Sequence, residues 1–387
     1  MAELYYGRGR DEDNKKLIAF LDEVFFADED DGTNFFELLP KIYKDKYRPA
    51  YNNFVVQDEN GDFRSAIGNF YNDMRIGGEN IKTCCIGNVA VGREYRSMGY
   101  MIELMKMSVD DMKCSGVDMA YLGGQRQRYG YFGFESAGVR YVFTFNRQTL
   151  KHAFKNEPSG LTVEELREDD SETIEKISAL YDRHPVVSLR KKEDYFDILS
   201  SWNNVPRVLK EDGKFVGYFT AGKNIEYISE MEAISPEYLK RAVCAAFENS
   251  EAKSITFAVA PFETEKVKVF TETCEGMDIC GCESVLVFNF ERIIRAFLKA
   301  KASYQKLCSG EFTALIHGAN GDEKLKISVK DNEISVEKFD GKAEFELDHH
   351  AATRAFFSNY VSDRAVLPPE VQQWFPLPSY LFGSDTM

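Results

Sequence analysis

Two stretches of the sequence share one order of elements, strand, turn, helix and strand, and this repetition is the strongest constraint on the fold. In the first, TCCIGNVAV predicts a strand, and apolar residues at helical spacing from Met101 to Met112 predict a helix that Gly116 ends. The strand VDMAYL follows. In the second, KFVGYFTAGKNIEYISEMEAIS precedes the helix RAVCAAFENSEA and the strand SITFAVA. We therefore expect a mixed α/β (or α+β) chain that contains a repeated unit.

The last third of the chain has a different pattern. NFERIIRAFLKAKAS predicts a helix, and GEFTALIHG, EKLKISVKD and NEISVEKFD alternate apolar and polar residues as a strand meander does. The final segment is rich in proline and aromatic residues and is too apolar to remain free in solvent. At 387 residues the chain should hold two or three domains. We place the boundaries near Thr149 and Phe290, which gives regions 1–148, 149–289 and 290–387.

The net charge excludes some classes of partner. A formal charge of -15 argues against nucleic acid or an anionic membrane as the main partner, because both require a basic surface. The acidic charge would suit a cationic ligand, or it maintains solubility. The N-terminus lacks the apolar core of a signal peptide, and no apolar run of about 18 residues occurs. We expect a soluble, cytoplasmic protein.

Cysteine and histidine do not form a metal-binding pattern. The pair in ICGCE lacks the two-residue spacer and the second pair of a zinc site, although a metal or redox role for it stays open. The five histidines are without ligand spacing. We expect reduced cysteines and no metal. The eight cysteines are Cys84, Cys85, Cys114, Cys244, Cys274, Cys280, Cys282 and Cys308.

The segment NVAVGREYRSMGYMIELM is the most informative for chemistry. It places a tight turn, from Arg96 to Gly99, between a strand and the start of an amphipathic helix. Helix N-termini carry unsatisfied N–H groups and a partial positive charge, which suit phosphate oxygens, and Gly99 would allow close approach. An ordinary helix start is the alternative.

A second segment, YLGGQRQRYGYFGFESAG, begins at Tyr121 and crowds glycines and aromatic residues around a short basic run. The flanking sequences MAYL and RYVFTF predict two strands around a bend. The residues alone leave two interpretations open, a binding turn or a tightly packed strand end.

Together these segments resemble the GNAT superfamily of acetyl-coenzyme A dependent N-acetyltransferases. The first is similar to the [QR]xxGx[GA] motif, and the second to the later fYxxfGFe motif through Tyr129 and residues 132–135. Met101 replaces the usual small residue, which is typical of the enhanced intracellular survival (Eis) family. The resemblance implies tandem GNAT folds, of which the second is degenerate, followed by a sterol carrier protein-like domain. Those three parts are regions 1–148, 149–289 and 290–387.

The resemblance also implies a site. Tyr129 would protonate the departing thiolate, and the carboxylate of Met387, as the chain's C-terminus, would act as the base. Core packing for Tyr129 and a frayed end for Met387 are the alternatives. The cosubstrate would be acetyl-coenzyme A, without a metal, bound by Val89, Ala90, Val91, Arg96, Ser97, Met98, Gly99, Tyr100 and Met101.

The acceptor pocket implied by the resemblance involves the N-terminal helices. Four phenylalanines, with acidic neighbours at 28–31, would suit a cationic amine through charge and cation–π attraction, or they pack as core beside a solvated loop. Asp385 is a further candidate, although some family members carry their acidic residue immediately before the terminus, where this chain has Thr386. The candidate phenylalanines are Phe25, Phe26, Phe35 and Phe36.

Two functions remain possible on this basis. The first is an N-acetyltransferase that passes an acetyl group directly, in a ternary complex, to a primary amine such as a small polyamine, an aminoglycoside-like molecule or a lysine side chain. The second is an inactive GNAT fold whose C-terminal domain binds lipid or another small molecule. The family resemblance also implies a homo-oligomer, a hexamer.

Overall fold

A computed structural model describes residues 4–28 and 32–387 of the chain. The predicted unit around residues 83–122 is present, because strand β6 leads through a turn into helix α4 and then strand β7. Helix α4 buries Leu104, Met105 and Met112 on one face, and Gly116, with φ of +69°, follows its end. The elements up to residue 146 are β1 (Tyr5–Arg8), α1 (Asn14–Phe26), α2 (Phe35–Leu38), α3 (Pro40–Tyr43), β2 (Asn53–Gln57), β3 (Phe63–Tyr71), β4 (Met74–Ile76), β5 (Glu79–Ile81), β6 (Thr83–Val91), α4 (Tyr100–Cys114), β7 (Met119–Leu122), α5 (Arg126–Gly130), β8 (Glu135–Ser136) and β9 (Arg140–Asn146).

The second predicted unit is also present, as strands β13 and β14, helix α9 and strand β15. The elements from residue 147 to residue 287 are α6 (Arg147–Ala153), β10 (Thr162–Glu165), α7 (Ser171–Tyr181), β11 (Val186–Ser188), α8 (Tyr195–Ser200), β12 (Asn204–Glu211), β13 (Lys214–Gly222), β14 (Tyr227–Ala233), α9 (Pro236–Glu248), β15 (Ser254–Val259), α10 (Thr264–Thr273), β16 (Gly276–Cys280) and β17 (Ser284–Val287). The remaining elements are α11 (Phe290–Ala302), β18 (Gly310–Gly318), β19 (Gly321–Lys330), β20 (Glu333–Lys338), β21 (Phe345–Asp348), α12 (His349–Phe357), α13 (Val361–Arg364) and α14 (Pro369–Gln372).

Two seven-stranded sheets repeat one topology. The first has the order β1-β2-β3-β6-β7-β17-β8, and the second has the order β10-β12-β13-β14-β15-β9-β16. In each sheet the fourth and fifth strands are parallel, β6 with β7 and β14 with β15, and the sixth strand is antiparallel to the fifth. We call the first sheet and its helices the first lobe, and the second sheet and its helices the second lobe. The repeated unit expected from the sequence is confirmed.

The two lobes exchange one strand each. Strand β9 follows the first lobe along the chain but pairs with β15 in the second sheet, and β17 follows the second lobe but pairs with β7 in the first. A smaller sheet, in the order β11-β4-β5, also crosses between the lobes. The predicted boundaries near Thr149 and Phe290 stay predictions about domains, whereas the sheets themselves extend across both.

The C-terminal region, residues 290–387, packs against the first lobe. Its predicted helix and meander form α11 and a four-stranded sheet in the order β20-β19-β18-β21. Phe297, Trp374 and Phe382 belong to the same buried cluster as Leu17 and Tyr43 of the first lobe. The likeness of this region to a sterol carrier protein stays a prediction. Across the described residues, each helix is too short or too polar to cross a lipid bilayer.

Candidate active site

Strands β6 and β7 separate partway along their length. They pair in parallel from Thr83 to Ile86 of β6, whereas β6 continues to Val91 after β7 ends at Leu122. The register of β6 against β3 also shifts here, and Asn88 has φ of +39°. The second half of β6 therefore presents its backbone at an opening in the sheet, as expected for a strand that binds a ligand through main-chain groups.

Neighbouring side chains hold the irregular backbone at Asn88. The Asn88 side chain donates to Asn53 Oδ1 over 2.7 Å, and the hydroxyl of Tyr43 donates to Asn88 Oδ1 over 3.1 Å. Tyr43 and Asn53 are buried. These hydrogen bonds fix the conformation of β6 at the point where it separates from β7.

The turn after β6 has the conformation of an anion-binding loop. Ser97 has φ of +68° and Gly99, at the N-cap of α4, has φ of +85°. No side chain caps α4, and a Cβ added to Gly99 would have no heavy atom within 4 Å among the described residues. The N-terminus of this helix therefore faces open space, where an anion could approach its N–H groups.

A cleft of about 690 Å³ joins the end of β6 to this turn, and we call it the first-lobe cleft. Seven of the nine residues predicted to bind the coenzyme line it. The other two, Ala90 and Met98, do not line the cleft. Ala90 is buried in the core, and the side chain of Met98 is exposed to solvent. The lining residues are Val24, Phe25, Val89, Val91, Tyr95, Arg96, Ser97, Gly99, Tyr100, Met101, Ile102 and Arg128.

Tyr129 does not itself line this cleft, although its chain neighbour Arg128 does; it lies on the short helix α5 that occupies the predicted bend. Its side chain is only 8% exposed and packs among Tyr100, Leu122 and Phe134. Burial raises the pKa of Tyr129, and the neighbouring cation of Arg128 opposes that rise. At neutral pH the hydroxyl therefore keeps its proton and is able to donate it.

The two arginines of the bend have different environments. Arg128 lines the first-lobe cleft, and sequence reasoning did not identify it. Arg126 pairs with the buried carboxylate of Glu135 over 2.5 and 2.7 Å, and Arg354 of helix α12 donates to the same carboxylate over 3.0 Å. Arg126 and Glu135 thus join the segment that carries Tyr129 to the C-terminal region.

The candidate phenylalanines are mainly packed against one another. Phe35 is buried, with its ring centroid 5.3 Å from that of Phe25 and 4.9 Å from that of Phe26. Phe25 also lines the first-lobe cleft, whereas Phe36 is exposed. Of the predicted acidic neighbours, Asp28 pairs with Arg93 over 2.7 Å, and residues 29–31 lie outside the described residues.

The last residues of the chain, 376–387, are held between the two lobes, and we call them the tail. Lys41 of the first lobe donates to the carbonyls of Ser384 and Thr386 over 2.6 and 2.5 Å. Burial lowers the pKa of Lys41 to about 8, although the nearby Asp385 opposes that change. The apolar tail packs in the core as expected, and a Cβ added to Gly87 of β6 would lie 3.7 Å from Met387 Cβ. The end of the chain therefore lies at the opening of β6.

The placement of Asp385 does not fit its predicted role in substrate binding. Its carboxylate accepts hydrogen bonds from Arg190 at 2.8 and 3.0 Å and from the hydroxyl of Tyr181 at 2.8 Å. The side chain of Asp385 is 3% exposed, and that of Arg190 is 1% exposed. Asp385 is therefore a positioning residue that fixes the tail to the second lobe, because its oxygens are already satisfied.

A second pocket, of about 580 Å³, lies between the lobes beside the tail, and we call it the interlobe pocket. Trp202 donates from Nε1 to the carbonyl of Thr386 over 3.1 Å at its wall. Burial raises the pKa of Glu283, which approaches Gly123 at the end of β7. The lining residues are Arg140, Trp202, Asn203, Asn204, Gly222, Lys223, Asn224, Ile225, Glu226, Tyr227, Ser229, Glu283, Gly383 and Thr386.

One buried group has the composition of a metal site. Ligand atoms of His184, Glu232 and Glu263 lie within 4.8 Å of one another. The amino group of Lys266 is bonded to both carboxylates, and its distance to Glu232 is 2.7 Å. This ammonium compensates one of the two carboxylate charges in the position that a cation would take. The expected absence of a metal stays a prediction.

Asp385→Asn tests how much the tail contact contributes to stability. It removes a charge from a buried ion pair while Glu230 still pairs with Arg190, so we expect the free energy of unfolding to fall by about 3 kcal/mol. Urea denaturation measures this change. Glu175→Gln, which breaks the exposed pair with Lys192, should change stability little. Equal effects of the two substitutions would contradict the anchoring role.

Comparison with known proteins agrees with this geometry. Residues 6–137 match the family model described as the acetyltransferase (GNAT) domain. No curated protein sequence matches the chain. Among solved structures, the GCN5-related N-acetyltransferase from Anabaena variabilis has a TM-score of 0.69 at 14% identity, and the match covers 98% of both chains.

Two further solved structures show the same fold. The GCN5-related N-acetyltransferase from Kribbella flavida has a TM-score of 0.67 at 14% identity, with 97% of this chain and 96% of that chain covered. Eis1 from Mycobacterium abscessus has a TM-score of 0.61 at 12% identity, with 97% and 96% covered. The predicted tandem fold class is confirmed, whereas membership of the Eis branch stays a prediction. Residues 6–137 are thus similar to the acetyltransferase (GNAT) domain, and the chain shares its overall fold with solved GCN5-related N-acetyltransferases over nearly its whole length.

Proposed function

We propose that this protein is an acetyl-coenzyme A dependent N-acetyltransferase that acts on a primary amine. The observation that carries the proposal is the convergence of two features in the first-lobe cleft. The open half of β6 provides backbone groups, and the uncapped N-terminus of α4 provides an anion site at Gly99. A thioester on a phosphorylated carrier requires both features, because backbone groups bind and polarise its carbonyl and the anion site binds its phosphates.

The residues of the cleft fit such a cosubstrate. The N–H groups of Tyr100 and Met101 begin α4 beside open space at Gly99, and the guanidinium of Arg128 adds a positive charge to the same cleft. These groups would hold phosphate oxygens. The backbone of Val89 and Val91 would hold the pantetheine arm and polarise the carbonyl. The bound thioester supplies an activated acetyl group.

Proton transfer is assigned to two groups. Tyr129 is the proposed general acid, because the ordinary pKa of a phenol, about 10, is near that of a thiol leaving group. Burial raises the pKa of Tyr129, so the phenol holds its proton until the thiolate forms. In a chain that ends at Met387, the terminal carboxylate is the proposed base, since Met387 packs beside Gly87 at the opening of β6. Removing a proton from the acceptor ammonium makes its nitrogen nucleophilic.

The proposed acceptor site is the interlobe pocket, because it shares the tail with the opening of β6. Its carboxylates, Glu226 and Glu283, suit an ammonium group, and the rings of Trp202 and Tyr227 provide aromatic faces. Its wall also carries two cations, Arg140 and Lys223. Because the pocket wall carries both negative and positive side chains, it favours an amine that also has an acidic or polar group, such as a lysine-like molecule. A small polyamine or an aminoglycoside, which carries positive charge alone, fits it less well.

Gly99→Asp tests the anion site. A carboxylate at the N-terminus of α4 would repel phosphate, so we expect the Kd for coenzyme A to rise at least about tenfold. Isothermal titration calorimetry measures it. Gly116→Asp is the matched control, because Gly116 has φ of +69° and open surroundings at the other end of the same helix. Equal affinity in the two variants would exclude the proposed phosphate position.

Tyr129→Phe tests the general acid. Loss of the phenolic proton should lower kcat by about 10²- to 10⁴-fold and leave the Kd for acetyl-coenzyme A unchanged, because the ring still packs in its cluster. Thiol release in the presence of a panel of amines measures turnover. Tyr131→Phe alters an exposed tyrosine of the same segment and should retain activity. Unchanged turnover in Tyr129→Phe would remove Tyr129 as the acid.

A short glycine extension after Met387 tests the base. It would move the terminal carboxylate away from β6, so we expect kcat to fall about 10²-fold while acetyl-coenzyme A still binds. The same glycines placed before Met1 provide the control. Full activity of the extended chain would eliminate the terminal carboxylate as the base.

A further inference from the structure

A third pocket, of about 390 Å³, lies where the second lobe, helix α11 and the start of the tail meet. We call it the junction pocket. It is distinct from the first-lobe cleft and the interlobe pocket, and its volume falls in the range of small-molecule sites. Lys301 is its single charged lining residue among the described residues. The lining residues are Val139, Tyr141, Pro261, Thr264, Ile279, Lys301, Tyr304, Gln305, Asn359, Pro376, Leu377 and Pro378.

Lys301 is a buried cation that is only partly satisfied. The residue is 5% exposed, and its amino group donates one hydrogen bond, to the carbonyl of Pro376 over 3.1 Å. An ammonium group has three donors. Within residues 4–28 and 32–387, no carboxylate lies within ion-pair distance of its nitrogen. Burial and, to a smaller extent, the charge of Arg364 together lower the pKa of Lys301 to about 8.

Arg364 adds a second buried positive charge near Lys301. It is 7% exposed and donates to the carbonyl of Ser358 over 2.7 Å, next to the lining residue Asn359. It also forms no ion pair with a carboxylate of the described chain. The junction pocket is also lined by the hydroxyl-bearing rings of Tyr141 and Tyr304, and burial raises the pKa of Tyr304. The buried ammonium of Lys301, with unused donors and no carboxylate within ion-pair distance, is costly, so an anion is its missing partner.

The remaining lining indicates which anion fits. Val139, Ile279 and Leu377 provide apolar surface, together with three prolines, whereas Thr264, Gln305 and Asn359 provide neutral polar groups. An inorganic anion would leave the apolar surface without contacts. We propose that the junction pocket binds a small-molecule carboxylate, with its charged end at Lys301 and its apolar body against these side chains. This site is independent of the proposed acetyl transfer.

Titration calorimetry with octanoate, in the presence of saturating coenzyme A, tests the proposal. Coenzyme A is added to occupy the first-lobe cleft, so any octanoate binding that remains reports on another site. Octanoate should bind the unmodified protein, and Lys301→Met should weaken binding at least about tenfold. Lys306→Met, which changes an exposed lysine near the same pocket, should bind as the unmodified protein does. Octanol, the neutral analogue, should bind more weakly than octanoate.

The absence of octanoate binding, or equal affinity in the Lys301→Met and Lys306→Met variants, would overturn the proposal. A second measurement needs no variant, in case Lys301→Met does not fold. Trace labelling of the unmodified protein with acetic anhydride, followed by mass spectrometry, reports the reactivity of each lysine. Octanoate should protect Lys301 and leave Lys306 unchanged. Equal labelling of Lys301 with and without octanoate would also contradict the site.

Discussion

The buried ion pair between Arg190 and Asp385 fixes the position of the last residues of the chain in the fold. Arg190 is also bonded to Glu230 over 2.6 Å, and its guanidinium lies 3.7 Å from the ring centroid of Tyr181. The desolvation of these charges is compensated because both carboxylates share one planar cation. Lys41 adds a contact from the first lobe. With the tail held from both sides, Met387 reaches β6 at Gly87, and its neighbour Thr386 lines the interlobe pocket.

The tail also accounts for a difference between the two lobes: their sheets share one topology, but the tail lies in the opening of the second sheet. In the second lobe, β14 and β15 also separate early, since they pair only at Tyr227 and Ile228. That opening contains the tail: Gly383 packs against Ser229 of β14, and Tyr380 donates to the carbonyl of Ala258 in β15. Helix α9 begins at Pro236 with no equivalent of the Gly99 turn. The second lobe thus uses its opening to position the end of the chain.

Local features of the site could be predicted from the sequence, because their signals are local. Helical spacing, Gly99 and Gly116 define α4, and strand-forming residues define β6. The first-lobe cleft therefore contains most of the residues expected there. Helix α5 was not predicted, because aromatic and glycine residues in the bend favour no single conformation.

Features that depend on distant pairing could not be predicted. The exchange of β9 and β17 depends on contacts between segments more than a hundred residues apart, and a single sequence carries no pairing signal at that separation. The sequence around Lys41 and Arg190 does not indicate that they hold the tail, because their partners lie at the far end of the chain. Asp385 lies 195 residues from Arg190, so nothing in its neighbouring sequence indicates the arginine that it meets.

We propose that the first lobe alone binds the coenzyme, while the second lobe holds the tail. The stoichiometry of acetyl-coenzyme A binding, measured by isothermal titration calorimetry on the full chain, tests it most directly. Because the tail occupies the second opening, we expect about one coenzyme per chain. Binding at both lobes, or the absence of binding at millimolar coenzyme, would contradict it.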